Sequence, residues 1–461
     1  MTMAGSDNEP DDLDVVVVGA GFAGLAAALT LADAGKSVMV IEANQQVGGR
    51  CAGGTTSDGQ WLELGGQWVA SDHHRLLALI ERFGLTTEST DRVGRIVSLQ
   101  GGIRLELDPS DSTSTLSPAE QADVDRTARE FSVIIEGVDL EAPWRSRDSE
   151  LLDEQTFASW IRANTASERA RIAFTTRCEA VFAPDPLEVS LLHAAYYFKS
   201  GNHIGGLLGL AREAQTDRVI GGASVVCDAI ATHLDARVVT GEPARTVSWG
   251  DDWVTVTSRS GRTWTARQSI VTLPPPLAAR LEYEPIMPAE RDQLTQRLHS
   301  ISVVKLYLVF STPFWREAGL SGEAVIDEGP IKVVLDNTPD GYDRGVLVSF
   351  IEGHDKVRWD LGTPSARRDA FADVATRLFA DAASNPVEYL ECDWTTAEFT
   401  RGCYSAHFAP GTWTNYGPAL TAPVGPIHWA GTETATEWTG YMEGAVRSGE
   451  RAAAEVLGLL K

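Results

Sequence analysis

The sequence predicts an α/β fold in two domains, each assembled from separated stretches of chain. Three observations carry that expectation. A β-branched run, Asp14-Val15-Val16-Val17-Val18, leads into an Ala- and Leu-rich stretch from Phe22 to Ala34, and then into a second strand-like run from Ser37 to Glu42. Such runs suit buried parallel strands joined by a helix. Short alternating strands recur from Asp235 to Val271, at Val303–Phe310 and at Val346–Ile351, far along the chain from that unit. Helical, Ala/Arg/Glu-rich sequence extends up to about Ala195 between them. The 461 residues are 43% apolar and 22% charged, which at about 100–200 residues per domain allows more than one core. That composition excludes a collagen-like, disordered or disulfide-stapled chain.

The first turn reads Val18-Gly19-Ala20-Gly21-Phe22-Ala23-Gly24, a G-x-G-x-x-G between strand and helix. Gly19 permits the tight turn, Gly21 lets a pyrophosphate approach the backbone, and Gly24 allows helix and strand to pack closely. The helix N-terminus adds free N–H groups and positive dipole. Glu42 ends the second strand 18 residues past Gly24, where a carboxylate can accept ribose hydroxyls. Together these residues predict a Rossmann-like dinucleotide-binding domain. Gly35 stops the helix. A Gly-rich stretch from Gly48 to Gly66 follows. Within it, Gly48-Gly49-Arg50 is a second glycine turn, which either is structural with a surface Arg or brings a guanidinium to hold phosphate or flavin oxygens through bidentate contacts. A polar break at 108–115 opens the helical region, and Gly250-Asp251-Asp252 and Ser260-Gly261 mark turns. Pro364 to Ala383 is a helix by periodicity, with Thr363 as its N-cap. Gly431 ends a strand and Tyr441 opens the last helix, a further amide-rich N-terminus.

Asp and Glu outnumber Lys and Arg by 64 to 39, a formal charge of −25, which repels nucleic acid and anionic lipid. The five cysteines (Cys51, Cys178, Cys227, Cys392 and Cys403) include no CxxC pair, as in a reducing compartment. The nine histidines lack HxxxH and HExxH spacing, so no protein-bound metal is expected. Residues 1–14 are acidic and the first basic residue is Lys36, unlike a secretory signal. Val15 to Ala32 is apolar but broken by Gly19, Gly21 and Gly24, and reads as strand, turn and helix, not as a membrane span. No C-terminal anchor is expected after the last helix. A soluble, cytoplasmic protein is expected.

Leu64-Gly65-Gly66-Gln67-Trp68, Val303-Val304-Lys305-Leu306-Tyr307, Arg401-Gly402-Cys403-Tyr404-Ser405 and the segment from Trp429 to Ala445 complete an ordered set. With the glycine turns, this set resembles the flavin-containing monoamine oxidase family over nearly the whole chain. The resemblance implies the amine oxidase fold. A Rossmann-like FAD-binding domain would comprise 12–88, 220–294 and 397–461, and a discontinuous mixed α+β substrate domain 89–219 and 295–396. It implies FAD as cofactor, held by Gly19, Gly21, Gly24, Glu42, Gly49 and Arg50. Gly66, Gln67, Trp68 and Trp394 would lie along it, and Ala244 would touch the adenine end through its backbone. From the last motif, Gly431, Thr432, Glu433, Gly440, Tyr441 and Met442 would close on it.

Tyr404 and Tyr441 resemble the near-parallel tyrosines that flank the flavin's reactive face and guide a neutral amine. Lys305 resembles a lysine that contacts flavin N5 through a water and assists oxygen chemistry. Cys403 stands where animal members bond to the flavin 8α-methyl through sulfur, whereas several bacterial relatives hold FAD without a covalent bond, and both remain open. Gln215 matches a glutamine near the substrate. Pro330 to Asp336 aligns with a strand that gates the substrate cavity, on which diamine-oxidising relatives place a carboxylate. Here Lys332, Val333 and Val334 argue against a diamine. Lys332 would favour an acidic amine if it faced the cavity and would be idle if it faced solvent. The glycine-rich stretch from Gly201 to Leu210 would shape the cavity mouth. The implied reaction takes a primary or secondary amine to an imine and then an aldehyde, with O2 reduced to H2O2, in what would be a homodimer. Two enzyme alternatives share the fold: an L-amino-acid oxidase, and an oxidase tailoring a secondary metabolite. A non-enzymatic flavoprotein binding module is disfavoured, because no helical insertion interrupts the chain.

Overall fold

The computed structural model describes residues 13–90, 93–108, 116–179, 182–207 and 216–460. The chain forms two compact units, the first of Met1–Gly49, Val226–Arg297 and Pro418–Lys461, the second of Arg50–Val225 and Leu298–Gly417.

The first unit is built on an eight-stranded sheet. Leu13–Val18 lies between Val38–Ile41 and Thr263–Val271, parallel to both. Val15, Val16 and Val17 are fully buried, the reason this strand is apolar at successive positions instead of alternating. Ile427–Trp429 also pairs parallel to Thr263–Val271. Ala244–Trp249, Val254–Ser258 and Thr263–Val271 run antiparallel, joined at the turns expected from Gly250 and Gly261. Helix Phe22–Asp33 ends at Ala34 and the left-handed Gly35 (φ 74°). It packs on the last helix, Met442–Leu459. A Cβ at Gly449 would stand 2.1 Å from the Ala23 carbonyl, so only glycine permits that approach.

The second unit holds a seven-stranded sheet ordered Glu388–Asp393, Val303–Phe310, Gly345–Glu352, Val333–Asp336, Leu320–Ile326, Arg95–Gln100 and Ile103–Leu107. Alternation divides the central strand Val303–Phe310 between two faces. Val304, Leu306, Leu308 and Phe310 join a core with Phe371, Ala375 and Leu378 of helix Pro364–Phe379. Tyr307 and Val309 face the other way, against Val346, Val348 and Leu62, and Lys305 shares that second face. Helices Pro118–Gly137, Phe157–Asn164, Glu168–Glu179 and Leu191–Ser200 belong to this unit, and a short helix at Ile204–Leu207 carries the helical region past Ala195. Thr363 caps its helix as expected, accepting from the Ala366 amide at 3.2 Å. The helix stops at Phe379 and not Ala383, because Ala380 turns to φ 75°.

Residues 50–88 and 397–417 lie in the second unit. The pairing explains this grouping: Trp68–Val69 and Thr87–Ser89 both pair with Asp217–Val219, and Ala406–Phe408 pairs with Leu298–Ser300. Among the described residues no helix is long and apolar enough to cross a membrane.

Candidate active site

In the first unit the glycine motif has the geometry a dinucleotide needs. Gly19 sits at φ 105°, and a Cβ there would lie 2.6 Å from Thr272 Oγ1, while one at Gly24 would lie 1.9 Å from the Gly19 carbonyl. Gly21 begins the helix with no side-chain cap, leaving first-turn N–H groups without the partner a capping residue would supply. The second glycine turn lies alongside, with the Gly48 amide donating to Ala20 O at 2.8 Å and Gly49 at φ 58°. Glu42 is buried; its Oε2 accepts from the Ala20 amide at 2.7 Å, and its Oε1 from the Asn44 amide and side chain at 2.8 and 3.0 Å. Of about four lone-pair directions on a carboxylate, one remains for a ribose hydroxyl. Ala244 opens its strand opposite Ser258.

The C-terminal motif is tied within the same unit. Gly431, at φ 126°, donates to Ser448 Oγ at 3.0 Å. Thr432 Oγ1 donates to the Tyr441 carbonyl at 2.8 Å, and Thr439 Oγ1 to the Thr432 carbonyl at 3.0 Å. Glu433 is buried, and Gly440 takes φ 85°. Tyr441 precedes helix Met442–Leu459 without a side-chain cap, so a second helix N-terminus presents its amides. Its ring meets Trp438 edge-on at 5.2 Å.

In the second unit Lys305 is buried, and its ammonium donates to Glu63 O at 2.7 Å, Gly65 O at 3.1 Å and Gln67 Oε1 at 2.7 Å. The rings of Trp68, Tyr307 and Phe350 surround it at 5.7, 5.5 and 5.6 Å, faces that attract a cation. Gln67 Nε2 in turn donates to Asn337 Oδ1, which also accepts from Arg218 Nη1 at 3.0 Å. Arg218 is paired with Glu88 at 2.6 Å. Burial pushes the Lys305 ammonium below the ordinary lysine range, against the pull of the Glu63 carboxylate. Burial pushes the Glu63 carboxyl upward, against Lys305 and Arg218. A Cβ at Gly65 would fall 2.1 Å from Arg50 O, and Gly66 donates to that same oxygen at 3.0 Å.

Arg50, expected beside phosphate or flavin, gives one N–H to the Tyr404 carbonyl at 2.7 Å, so it also anchors the tyrosine's backbone. Trp394 donates to Leu64 O at 2.9 Å and packs with Val303 and the buried Cys403. The Cys403–Tyr404 peptide is cis. Tyr404 OH donates to Glu352 Oε1 at 2.9 Å, and its ring lies 6.3 Å from Phe350. Glu352 was not legible as a site residue. Its signal was the run Gly345–Glu352, whose even positions all share the Lys305 face. Burial pushes its carboxyl up to about 7. Lys332 stands just before strand Val333–Asp336, half-buried, and its charge acts on Glu179. Gln215 lies outside the described residues, as do residues 208–210 of the expected cavity mouth.

Residues 22–457 match the family model of flavin-containing amine oxidoreductases. A Mycobacterium tuberculosis protein with the provisional name flavin-containing monoamine oxidase AofH is 39% identical over 98% of both chains. The L-amino acid dehydrogenase of Synechocystis is 35% identical over 97% of this chain and 95% of that protein. Among solved structures, wild-type putrescine oxidase bound to putrescine superposes with a TM-score of 0.92, at 33% identity over 97% of this chain and 99% of that one. The chain belongs to the flavin-containing amine oxidoreductase family. It is an oxidoreductase of the amine oxidase fold, with FAD as its cofactor. The crowded glycines, the remaining acceptor on Glu42 and the two uncapped helix N-termini fit that dinucleotide.

Proposed function

We propose that the protein oxidises simple primary or secondary amines with O2, and that Lys305, Tyr404 and Tyr441 act at the reacting atoms. FAD, when bound, supplies the two-electron acceptor: R–CH2–NH2 + O2 + H2O gives R–CHO + NH3 + H2O2. The observation that carries this reading is Lys305, a buried ammonium held by three oxygens on a strand face that is otherwise apolar or aromatic.

An ammonium has three N–H donors, and in Lys305 all three are engaged. The proposed water contact therefore exchanges one of them, and the longest, to Gly65 O at 3.1 Å, is the one we assign. Trp68, Phe350 and Tyr404 offer ring faces that suit an apolar amine. The Glu352 carboxylate beside Tyr404 repels a substrate carboxylate, and the Lys332 charge acts on Glu179. Both favour an amine over an amino acid or an acidic amine. The Synechocystis relative supports the second reading, oxidation of L-amino acids.

Cys403 is the residue we propose for a covalent link to FAD. None of the five cysteines forms a disulfide bond, in keeping with a cytoplasmic location; a homodimer rests on the family resemblance.

Peroxide release from the purified holoprotein tests the substrate reading. The panel is benzylamine, phenethylamine, tyramine, putrescine, spermidine, N-methylated amines, 4-aminobutyrate and L-amino acids. Peroxide with monoamines is expected; peroxide with L-amino acids alone establishes the second reading. Silence across the panel from flavin-loaded protein overturns the generalist reading and points to a dedicated biosynthetic amine. Acid precipitation of the same sample reads the linkage: flavin in the pellet supports the Cys403 bond, and flavin in the supernatant removes it.

A further inference from the structure

Glu352 closes a strand that is otherwise built for the core. Val346, Leu347, Val348 and Ile351 are fully buried, and the register sets Glu352 opposite Val303 and Phe350 opposite Lys305. A carboxylate there is costly, because an ionised group taken from water needs a compensating partner. Among the described residues no Lys, Arg or His pairs with it. Its hydrogen-bond partner is the Tyr404 hydroxyl at 2.9 Å. The Tyr404 backbone is held at its other end by Arg50. The like charge that acts on it is Glu179, on helix Glu168–Glu179, itself under the influence of Lys332, Asp185 and Asp355. Cys403 and Tyr197 act on Tyr404 from its other neighbours. The Tyr404 hydroxyl is thus what offsets the cost of a carboxylate at this half-buried position.

We propose that Glu352 is the positioning residue for amine oxidation, fixing the Tyr404 ring and, as a carboxylate, making its face more electron-rich. A hydrogen bond to an ionised acceptor is roughly twice as strong as a neutral one. It also polarises the phenol O–H toward the carboxylate, which enriches the ring and strengthens the negative face that an amine meets. The inference rests on the reading of Tyr404 as an amine-facing ring. The sign of the pH dependence follows from protonation. Glu352 is neutral below its raised midpoint of about 7 and ionised above it, so the strong form of the bond appears as pH rises.

The test is kcat/KM against pH for four holoenzymes of checked flavin content: wild type, Glu352→Gln, Tyr404→Phe and the double variant. Wild type is expected to gain activity through pH about 7, a limb distinct from the higher-pH deprotonation of the substrate amine. Glu352→Gln keeps the shape and the acceptor but cannot ionise. It should lose that limb and run about tenfold below wild type on the alkaline side. In the Tyr404→Phe background, Glu352→Gln should cost nothing further, because the two residues act as one unit. An unchanged limb in Glu352→Gln, or losses that simply add, overturns the proposal while leaving the role of Tyr404 standing. Full activity in Tyr404→Phe overturns both.

Discussion

Lys305 makes three hydrogen bonds that no solvent replaces, so its removal separates chemistry from folding. Lys305→Met leaves the Gly65 carbonyl and Gln67 Oε1 without this donor, each a loss of about 1–3 kcal/mol if buried, while the Glu63 carbonyl keeps the Tyr307 hydroxyl; the loss is partly offset because a desolvated charge is removed as well. Bound FAD should remain, since the glycine cradle and Glu42 are untouched, while peroxide formation falls about a hundredfold or more. The checks are the flavin-to-protein ratio and turnover per bound flavin; unchanged turnover would remove Lys305 from the oxygen chemistry. Lys305 itself was legible, as a lone charge in an apolar strand within a resembling motif. Its partners were not, because Glu63, Gly65 and Gln67 lie some 240 residues earlier, and strand alternation gives a face but not what covers it. Arg50 shows the same limit: its sequence position suggested anion binding, and one of its N–H groups is engaged by the Tyr404 carbonyl.

The strand Val303–Phe310 carries structure on one face and the candidate site on the other, an assignment open to test. Leu306 is fully buried in the core under helix Pro364–Phe379. Leu306→Ala should cost about 2–5 kcal/mol through the cavity it leaves and lower the melting temperature of the holoenzyme. Turnover per bound flavin should hold, the reverse of Lys305→Met. A Leu306→Ala enzyme that melts like wild type would mean that this face is not the load on which the sheet rests. Element boundaries were legible wherever local chemistry sets them. Thr363 and Gly35 did so through a cap and a left-handed stop. The end at Phe379 escaped, because Ala380 takes a positive φ that nothing in an alanine announces.

Across the whole molecule, the division into two units follows the strand pairing. The dinucleotide unit was the more legible of the two, since its strand, turn, helix and acid are consecutive in sequence. The second unit was less so, because its sheet brings 95–107 together with 303–393, contacts that no local pattern encodes. The net charge of −25 suits attraction of a protonated amine from solution before it is bound neutral. The central claim, that an amine hands two electrons to the FAD of this chain, has a direct reading: anaerobic mixing of the holoprotein with benzylamine or phenethylamine. Loss of the oxidised flavin's visible absorbance, restored on admitting air with one H2O2 per aldehyde, is the predicted result. An oxidised spectrum that persists with every amine yet bleaches with L-amino acids would contradict it.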